Sequence, residues 1–348
     1  MDKGNGIVQR VSLLRKSYIS FGLAAGLLFL FFRKAEWGVL LSELKSTSWS
    51  LLAAGVAIRM ISLLMASLRW RTLLLPVKKV AVVPLFSAMM IGMSADTLIA
   101  MQAAEFIRPY LISRWEGIQL STILATVAVE WFMDLLAIFV LLVPALTAFK
   151  TSEGYHSLLQ IVNLYKLLPG MVLAALFGLG LLWVLNQHAT GIESCLSRDH
   201  ACLPKWLTYR LAGWMMSFSQ GLEVIRQPKR VGEVSFYSLL FSFLVGLSSW
   251  LTLQAFGLPL PFFAAFMFPG LIAVAGMIPT PGALGGFHAV CQFGLVVIFN
   301  LNPAQTILPV IGMHAVLYIP ATIIGVLCLV SQGVAIRQIN EELSSAHS

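Results

Sequence analysis

Two carboxylates lie within an otherwise apolar stretch, "ATVAVEWFMDLLAIF", which runs from Ala125 to Phe139. Glu130 and Asp134 are four residues apart, so on a helix they share one face. A charged side chain at the centre of a membrane helix costs about 2.5–3.5 kcal/mol on insertion scales, so two on one face require cationic partners or water. The pair therefore indicates a polar site inside a membrane protein.

Two arginines are available as partners at this depth: Arg59 in the second apolar run and Arg108 in an interrupted segment. We expect six charged residues to converge on one site: Arg59, Asp96, Glu105, Arg108, Glu130 and Asp134. Arginine suits a lipid phosphate because its planar fork donates two parallel hydrogen bonds. The carboxylates would hold the arginines in an empty site, and neutralise a cationic headgroup or exchange protons in an occupied one. The alternative is a structural network that only locks helices together.

The composition predicts what must carry this site. The chain has 348 residues, of which 58% are hydrophobic and only 11% charged, whereas a soluble protein carries about 25% charged residues. We therefore expect an all-α polytopic membrane protein, with one membrane domain over residues 1–348, about eight spanning helices and one or two re-entrant or broken segments. The apolar runs are Tyr18–Phe32, Trp49–Leu68, Val80–Gln102, Leu120–Phe149, Pro169–Leu185, Ser235–Phe256, Pro261–Ile278, Gly282–Asn300 and Thr306–Val334.

Basic residues predict the orientation. Most Lys and Arg residues fall in the two tails, in the segments 69–79 and 108–114, and in the loop 186–233. Such a bias places these segments in the cytoplasm, which predicts a bacterial inner-membrane protein with both termini cytoplasmic. It also explains the net charge of +8 without nucleic acid as a partner. The loop 186–233 contains either an interfacial amphipathic helix or a solvated one.

Two apolar segments are interrupted by helix-breaking and charged residues. The first, Val80–Gln102, must enter and leave the membrane on the same side to preserve the charge bias, so we expect a re-entrant hairpin. The second contains the Gly/Pro run Pro279–Gly286. Paired interrupted segments in two halves of a chain indicate a transporter's central site. The similar strings "GIQLSTIL" and "LNPAQTIL" that follow the two breaks suggest an internal pseudo-repeat.

The Gly-rich turn adds four candidate binding residues: Gly282, Gly285, Gly286 and His288. Its backbone amides and the start of the following helix would favour an anionic group. A plain helix break with tight packing explains the glycines equally well. A histidine at this depth is either a hydrogen-bonded packing residue or part of a proton relay.

No catalytic or metal-binding motif is recognisable. The chain has no nucleophile-elbow sequence and no His/Glu metal motif, and the spacing of His188, Cys195, His200 and Cys202 fits no standard zinc site. We therefore expect no metal and no cofactor. A membrane-embedded transferase remains an alternative.

Four strings together resemble a known family. They are "RWRTLL" (Arg69–Leu74), "AAEFIRPYLISRWEG" (Ala103–Gly117), "LATVAVEWFMDLLA" (Leu124–Ala137) and "PTPGALGGFHA" (Pro279–Ala289). In this order they resemble the membrane region of the lysylphosphatidylglycerol synthases and the flippase-like membrane proteins grouped with it. Where that family usually has Gly-Glu, Glu-Arg and a Glu after the turn, this chain has Ala104-Glu105, Glu130-Trp131 and His288.

The resemblance implies a helical membrane domain with re-entrant elements that moves a lipid headgroup between leaflets. It also implies that the family's charged motif positions are occupied here by Glu105, Arg108, Glu130 and Asp134. The soluble domain that performs aminoacyl transfer in the synthases is not expected in this chain. We expect a translocase for a polar, phosphate-containing lipid, either a phospholipid or a polyprenyl-linked lipid. The alternatives are a non-catalytic scaffold for a partner synthase and an embedded lipid-modifying transferase. The sequence leaves the oligomeric state open.

Overall fold

The computed structural model describes residues 22–33, 37–98, 103–148, 164–188, 205–258, 260–278 and 280–332. All regular secondary structure within these ranges is helical, which confirms the all-α prediction. The α-helices are α1 (Gly22–Phe32), α2 (Trp37–Ser46), α3 (Trp49–Leu74), α4 (Val82–Leu98), α5 (Ala104–Glu116), α6 (Leu120–Ala148), α7 (Leu164–Gln187), α8 (Lys205–Gly221), α9 (Pro228–Ala255), α10 (Phe268–Gly276), α11 (Gly286–Phe299) and α12 (Pro303–Ser331). Short 3₁₀ helices cover Glu223–Arg226, Phe262–Met267 and Pro281–Ala283.

Five described helical segments are long and apolar enough to cross a membrane: Trp49–Leu74, Leu120–Ala145, Pro228–Ala255, Pro281–Phe299 and Pro303–Ser331. Four shorter apolar segments accompany them: Gly22–Phe32, Val82–Leu98, Val172–Gln187 and Phe262–Gly276. The predicted number of eight spans, the cytoplasmic orientation and the pseudo-repeat stay predictions. Cys195, His200 and Cys202 lie outside the described residues.

Helix α3 extends beyond its predicted end, and this corrects one sequence-based assignment. The sequence pattern ended the second span at Leu68 and placed Arg69 in a cytoplasmic loop. The helix in fact continues to Leu74, and Arg69 is only 1% exposed. The basic string "RWR" misled the prediction because buried carboxylates, which a linear pattern does not show, compensate the charge of Arg69.

The first interrupted segment forms a hairpin of two short helices, α4 and α5. Lys78 just before α4 forms an ion pair with Glu116 at the end of α5, with a distance of 2.8 Å between Nζ and Oε2. The chain therefore enters and leaves this hairpin at the same end of the bundle, and re-entry of the segment into the membrane stays a prediction. Gly92 allows the close approach, because a Cβ there would lie 3.2 Å from Cα of Ala104. Gly117 in the left-handed conformation ends α5.

The second interrupted segment follows the predicted run Pro261–Ile278. The first part of this run is the 3₁₀ helix Phe262–Met267, and Phe268–Gly276 is α-helical. The predicted break at Pro279–Gly286 is confirmed, since Gly282 and Gly285 have φ angles of 59° and 81°. Helix α11 then packs back against α10, where Leu271 lies against Gly294.

The two hairpins meet at their tips. A Cβ on Gly282 would lie 3.0 Å from the carbonyl oxygen of Thr97 at the end of α4. Nε2 of His314 on α12 lies 2.9 Å from the carbonyl oxygen of Gly282, which holds the turn in place. Both breaks thus lie at one level of the bundle, next to each other.

The loop 186–233 contains a helix that packs on the bundle. Thr122 Oγ1 at the start of α6 donates to the carbonyl oxygen of Ser217 on α8 at 2.7 Å. Gly221 allows this close approach, because a Cβ at that position would collide with the carbonyl oxygen of Thr122. Trp214 in the same helix is 48% exposed and stacks on Phe218, with ring centres 5.0 Å apart, so the bundle covers α8 only in part.

Candidate functional site

The charged residues meet between α3, α5, α6 and α9. Glu130 on α6 is 3% exposed and accepts hydrogen bonds from two arginines. Nη1 of Arg108 lies 3.0 Å from Oε2 and 3.2 Å from Oε1 of Glu130, while Nη2 of Arg69 donates to Oε1. Glu130 is therefore the centre of the network.

Each arginine is paired with a second carboxylate as well. Arg69 donates to Asp134, one turn after Glu130, and to Ser238 Oγ on α9 at 2.9 Å. Arg108 donates to Glu105 Oε2 at 2.9 Å. The positive charges of these two arginines are thus matched within the protein. The Nε–H group of each arginine lacks an acceptor among the described residues.

Aromatic rings cover both guanidinium groups. Cζ of Arg69 lies 5.3 Å from the ring centre of Phe241, and Cζ of Arg108 lies 5.5 Å from that of Trp70. These distances are within the range of cation–π attraction, which strengthens when water is excluded. Trp70 is itself fixed by a 3.2 Å hydrogen bond from Nε1 to Thr126 Oγ1.

Arg69 is the site residue that sequence reasoning missed. A signal was present, because Arg59 and Arg69 are ten positions apart and share a stripe of α3 with Leu63 and Ala66. That spacing places them about 15 Å apart along one helix face. Extending the helical pattern past "RWR" would have identified Arg69 as a third inward-facing arginine.

The network borders a cavity of about 190 Å³. All six predicted charged residues line it, together with Arg69 and Trp131. Trp131 is 55% exposed and donates from Nε1 to Glu105 Oε2 at 3.2 Å. The cavity therefore reaches the outer surface of the bundle beside Trp131 and Glu105.

A second cavity of about 300 Å³ adjoins the first. The two share five lining residues: Arg59, Met93, Asp96, Asp134 and Phe241. Beyond this shared wall the lining becomes mainly apolar, with Ile138, Val245, Pro269, Ile272, Ala273 and Leu317 among its residues. Its volume lies at the lower end of the 300–1,000 Å³ that ligand pockets usually have.

The four candidates on the Gly-rich turn lie elsewhere. Gly282, Gly285, Gly286 and His288 line neither of these two cavities. His288 is buried in an aromatic cluster, where its ring centre lies 4.9 Å from that of His314. His314 in turn stacks at 4.6 Å on Tyr318, which does line the second cavity. The turn thus contacts the site through intermediates, and its binding role stays a prediction.

Comparison with known proteins supplies the family. The model of the lysylphosphatidylglycerol synthase TM region matches residues 17–325. The chain belongs to this family. No curated protein and no solved structure matches the chain significantly. Membership in the lysylphosphatidylglycerol synthase TM region family confirms the predicted resemblance, and it relates this membrane domain to lipid metabolism.

Proposed function

We propose that this protein is a lipid translocase, which moves a polar, phosphate-containing lipid headgroup across the bacterial inner membrane. One observation carries the proposal: a charged cavity opens into an apolar one within the same membrane bundle. A lipid needs this combination, because its headgroup must leave water while its chains remain in an apolar environment.

Burial of so many charges supports this function over simple packing. Charges inside a membrane protein are costly and usually mark a substrate pathway. Trp131 and Ala273 are exposed at the outer surface of the bundle while lining the two cavities. A lipid could therefore enter sideways, with its chains still in the bilayer.

The two touching hairpins also support transport. Discontinuous helices at the centre of a membrane protein are typical of transporters whose site opens alternately to each side. Here Gly282 and Thr97 bring the two breaks together beside α12. A relative shift of the hairpins would change access to the cavities from either end.

A membrane scaffold for a partner synthase is the second candidate. The observation that favours it is the pairing of Arg69 and Arg108, each with two carboxylates. Such pairing could serve only to hold α3, α5 and α6 together. A scaffold of this kind would transport no lipid, even when well folded.

Transport in proteoliposomes distinguishes the two functions. The test uses headgroup-accessibility assays with fluorescent phospholipids and polyprenyl-phosphate-linked lipids. Ala273→Trp fills the second cavity, and Val274→Trp places the same bulk one residue away, at an exposed position that lines neither cavity. We expect transport by the wild type and by Val274→Trp, and its loss in Ala273→Trp. Absence of transport of every lipid by folded wild type would favour the scaffold.

A further inference from the structure

Arg59 differs from the other two arginines of the site. It is 8% exposed, and no carboxylate lies within ion-pair distance of it among the described residues. A buried guanidinium without a counter-charge is unfavourable. Either an anion or water must therefore approach it when the protein functions.

The hydrogen bonds of Arg59 leave room for such an anion. Nε donates to the carbonyl oxygen of Leu317 at 3.2 Å, and Nη1 to Ser62 Oγ at 3.2 Å. Nη2 contacts only the sulfur of Met93 at 3.9 Å, which is a weak acceptor. Each terminal nitrogen has a second N–H, so the outer edge of the fork can bind two oxygens of one group.

The position of Arg59 gives the ligand an orientation. It lies on the wall shared by the charged and the apolar cavity. An anionic group bound there would have Arg108 and Glu105 on one side and the apolar lining around Ile272 on the other. This is the order of parts in an amphiphile: polar head, phosphate, apolar chains.

The neighbouring carboxylates limit the charge of that group. Asp96 lines both cavities, and its side chain accepts a hydrogen bond from the amide of Ala104, at 2.8 Å. Asp134 also borders the shared wall. A dianion beside Arg59 would be repelled by these carboxylates more strongly than a monoanion.

We propose that Arg59 binds the phosphodiester of the lipid and selects it over a phosphomonoester, while Arg69 and Arg108 position the surrounding carboxylates. This inference rests on the proposed function, because it names the anchoring residue and the substrate class of the same site. Glycerophospholipids and polyprenyl phosphosugars share the phosphodiester, so the test contains both.

Native mass spectrometry of the purified protein tests the assignment through lipid binding. The probes are dioleoyl phosphatidylglycerol, a polyprenyl phosphosugar, dioleoyl phosphatidic acid and dioleoylglycerol. We expect the wild type to bind a phosphodiester about tenfold or more tightly than dioleoylglycerol, since charge-assisted bidentate pairs have this strength. Phosphatidic acid should bind more weakly than the preferred phosphodiester. Comparison of the polyprenyl phosphosugar with dioleoyl phosphatidylglycerol then identifies which class of lipid supplies the phosphodiester.

Variants of arginine on one helix provide the controls. Arg59→Gln should abolish the preference for the phosphodiester over dioleoylglycerol, whereas Arg71→Gln, on the exposed side of α3, should retain it. Arg59→Lys keeps the charge but loses the fork, so we expect an intermediate preference, and this variant decides the test if Arg59→Gln does not fold. An unchanged preference in the folded Arg59 variants would overturn the assignment.

Binding and transport separate the two proposals. Arg59-dependent binding without transport would retain this inference and reject translocation. Transport by a folded Arg59→Gln protein that still prefers the phosphodiester would retain translocation and reject the role of Arg59.

Discussion

Arg59 and Leu317 are joined across the bundle although 258 positions separate them in the chain, because Nε of Arg59 donates to the carbonyl oxygen of Leu317 at 3.2 Å. This contact fixes the guanidinium between α3 and α12, at the wall that the two cavities share. The position of this charge is thus set by the backbone of a distant helix rather than by a carboxylate.

The centre of the ion network should be far more sensitive to substitution than its rim. Glu130→Gln weakens the pairing of two buried arginines, so we expect a loss of about 3–5 kcal/mol in stability. Glu105→Gln changes a side chain that is 30% exposed, and the expected loss is about 1 kcal/mol or less. Thermal unfolding in detergent measures both, and equal melting temperatures for the two variants would contradict this ranking.

Arg69 and Asp134 should be energetically coupled, because their side chains form an ion pair in which Arg69 is 1% and Asp134 26% exposed. Asp134→Asn and Arg69→Gln are compared with the double variant by thermal unfolding. We expect the double variant to be less destabilised than the sum of the single ones, by about 0.5–3 kcal/mol. Strict additivity would show that the pair contributes no interaction of its own.

The hairpin of α4 and α5 should be detectable by cross-linking. Cysteines that replace Lys78 and Glu116 lie next to each other at the two ends of the hairpin, so a short bifunctional reagent should join them. A matched pair at Lys78 and Leu98 is separated by the length of α4, about 25 Å, and should not react. Cross-linking of the second pair but not the first would exclude the hairpin.

Gly282 should tolerate a side chain less well than Gly117. Both have positive φ angles, 59° and 66°, so replacement by Ala costs each about 1–2 kcal/mol of backbone strain. At Gly282 the new Cβ would also crowd the carbonyl oxygen of Thr97, while the space around Gly117 is open. Gly282→Ala should therefore lower the melting temperature more and reduce transport, and the reverse order would contradict contact between the hairpins.

The sequence predicted much of the site because a charge buried in a membrane protein needs an opposite charge or water beside it. Glu130 and Asp134, four residues apart, required buried cations, and the predicted partner Arg108 does pair with Glu130. Arg59 pairs with neither carboxylate, whereas Arg69 pairs with both. Arg69 was misplaced because a basic string at the end of an apolar run has the same appearance whether it faces water or a buried carboxylate. Only the tertiary arrangement distinguishes the two cases.

The Gly-rich turn illustrates a different limit of sequence reasoning. The break at Pro279–Gly286 was predictable, since glycine and proline determine the local backbone. Its contact with Thr97 was not, because the packing of two distant segments depends on helix crossings that no local pattern encodes. The separation of His288 from both cavities follows from the same packing.

Photocrosslinking at Ile138 tests most directly whether the cavities hold a lipid. p-Benzoylphenylalanine in place of Ile138 faces the second cavity. The control position is Val140 on the same helix, which is 57% exposed, so that the same group there faces outward. Irradiation in bilayers of mixed headgroups, followed by mass spectrometry of the adducts, measures which lipids each position contacts. We predict that adducts at position 138 are enriched in one phosphate-containing headgroup, while those at 140 follow the bulk composition. No adduct at 138, or the same composition at both positions, would contradict a lipid-binding cavity.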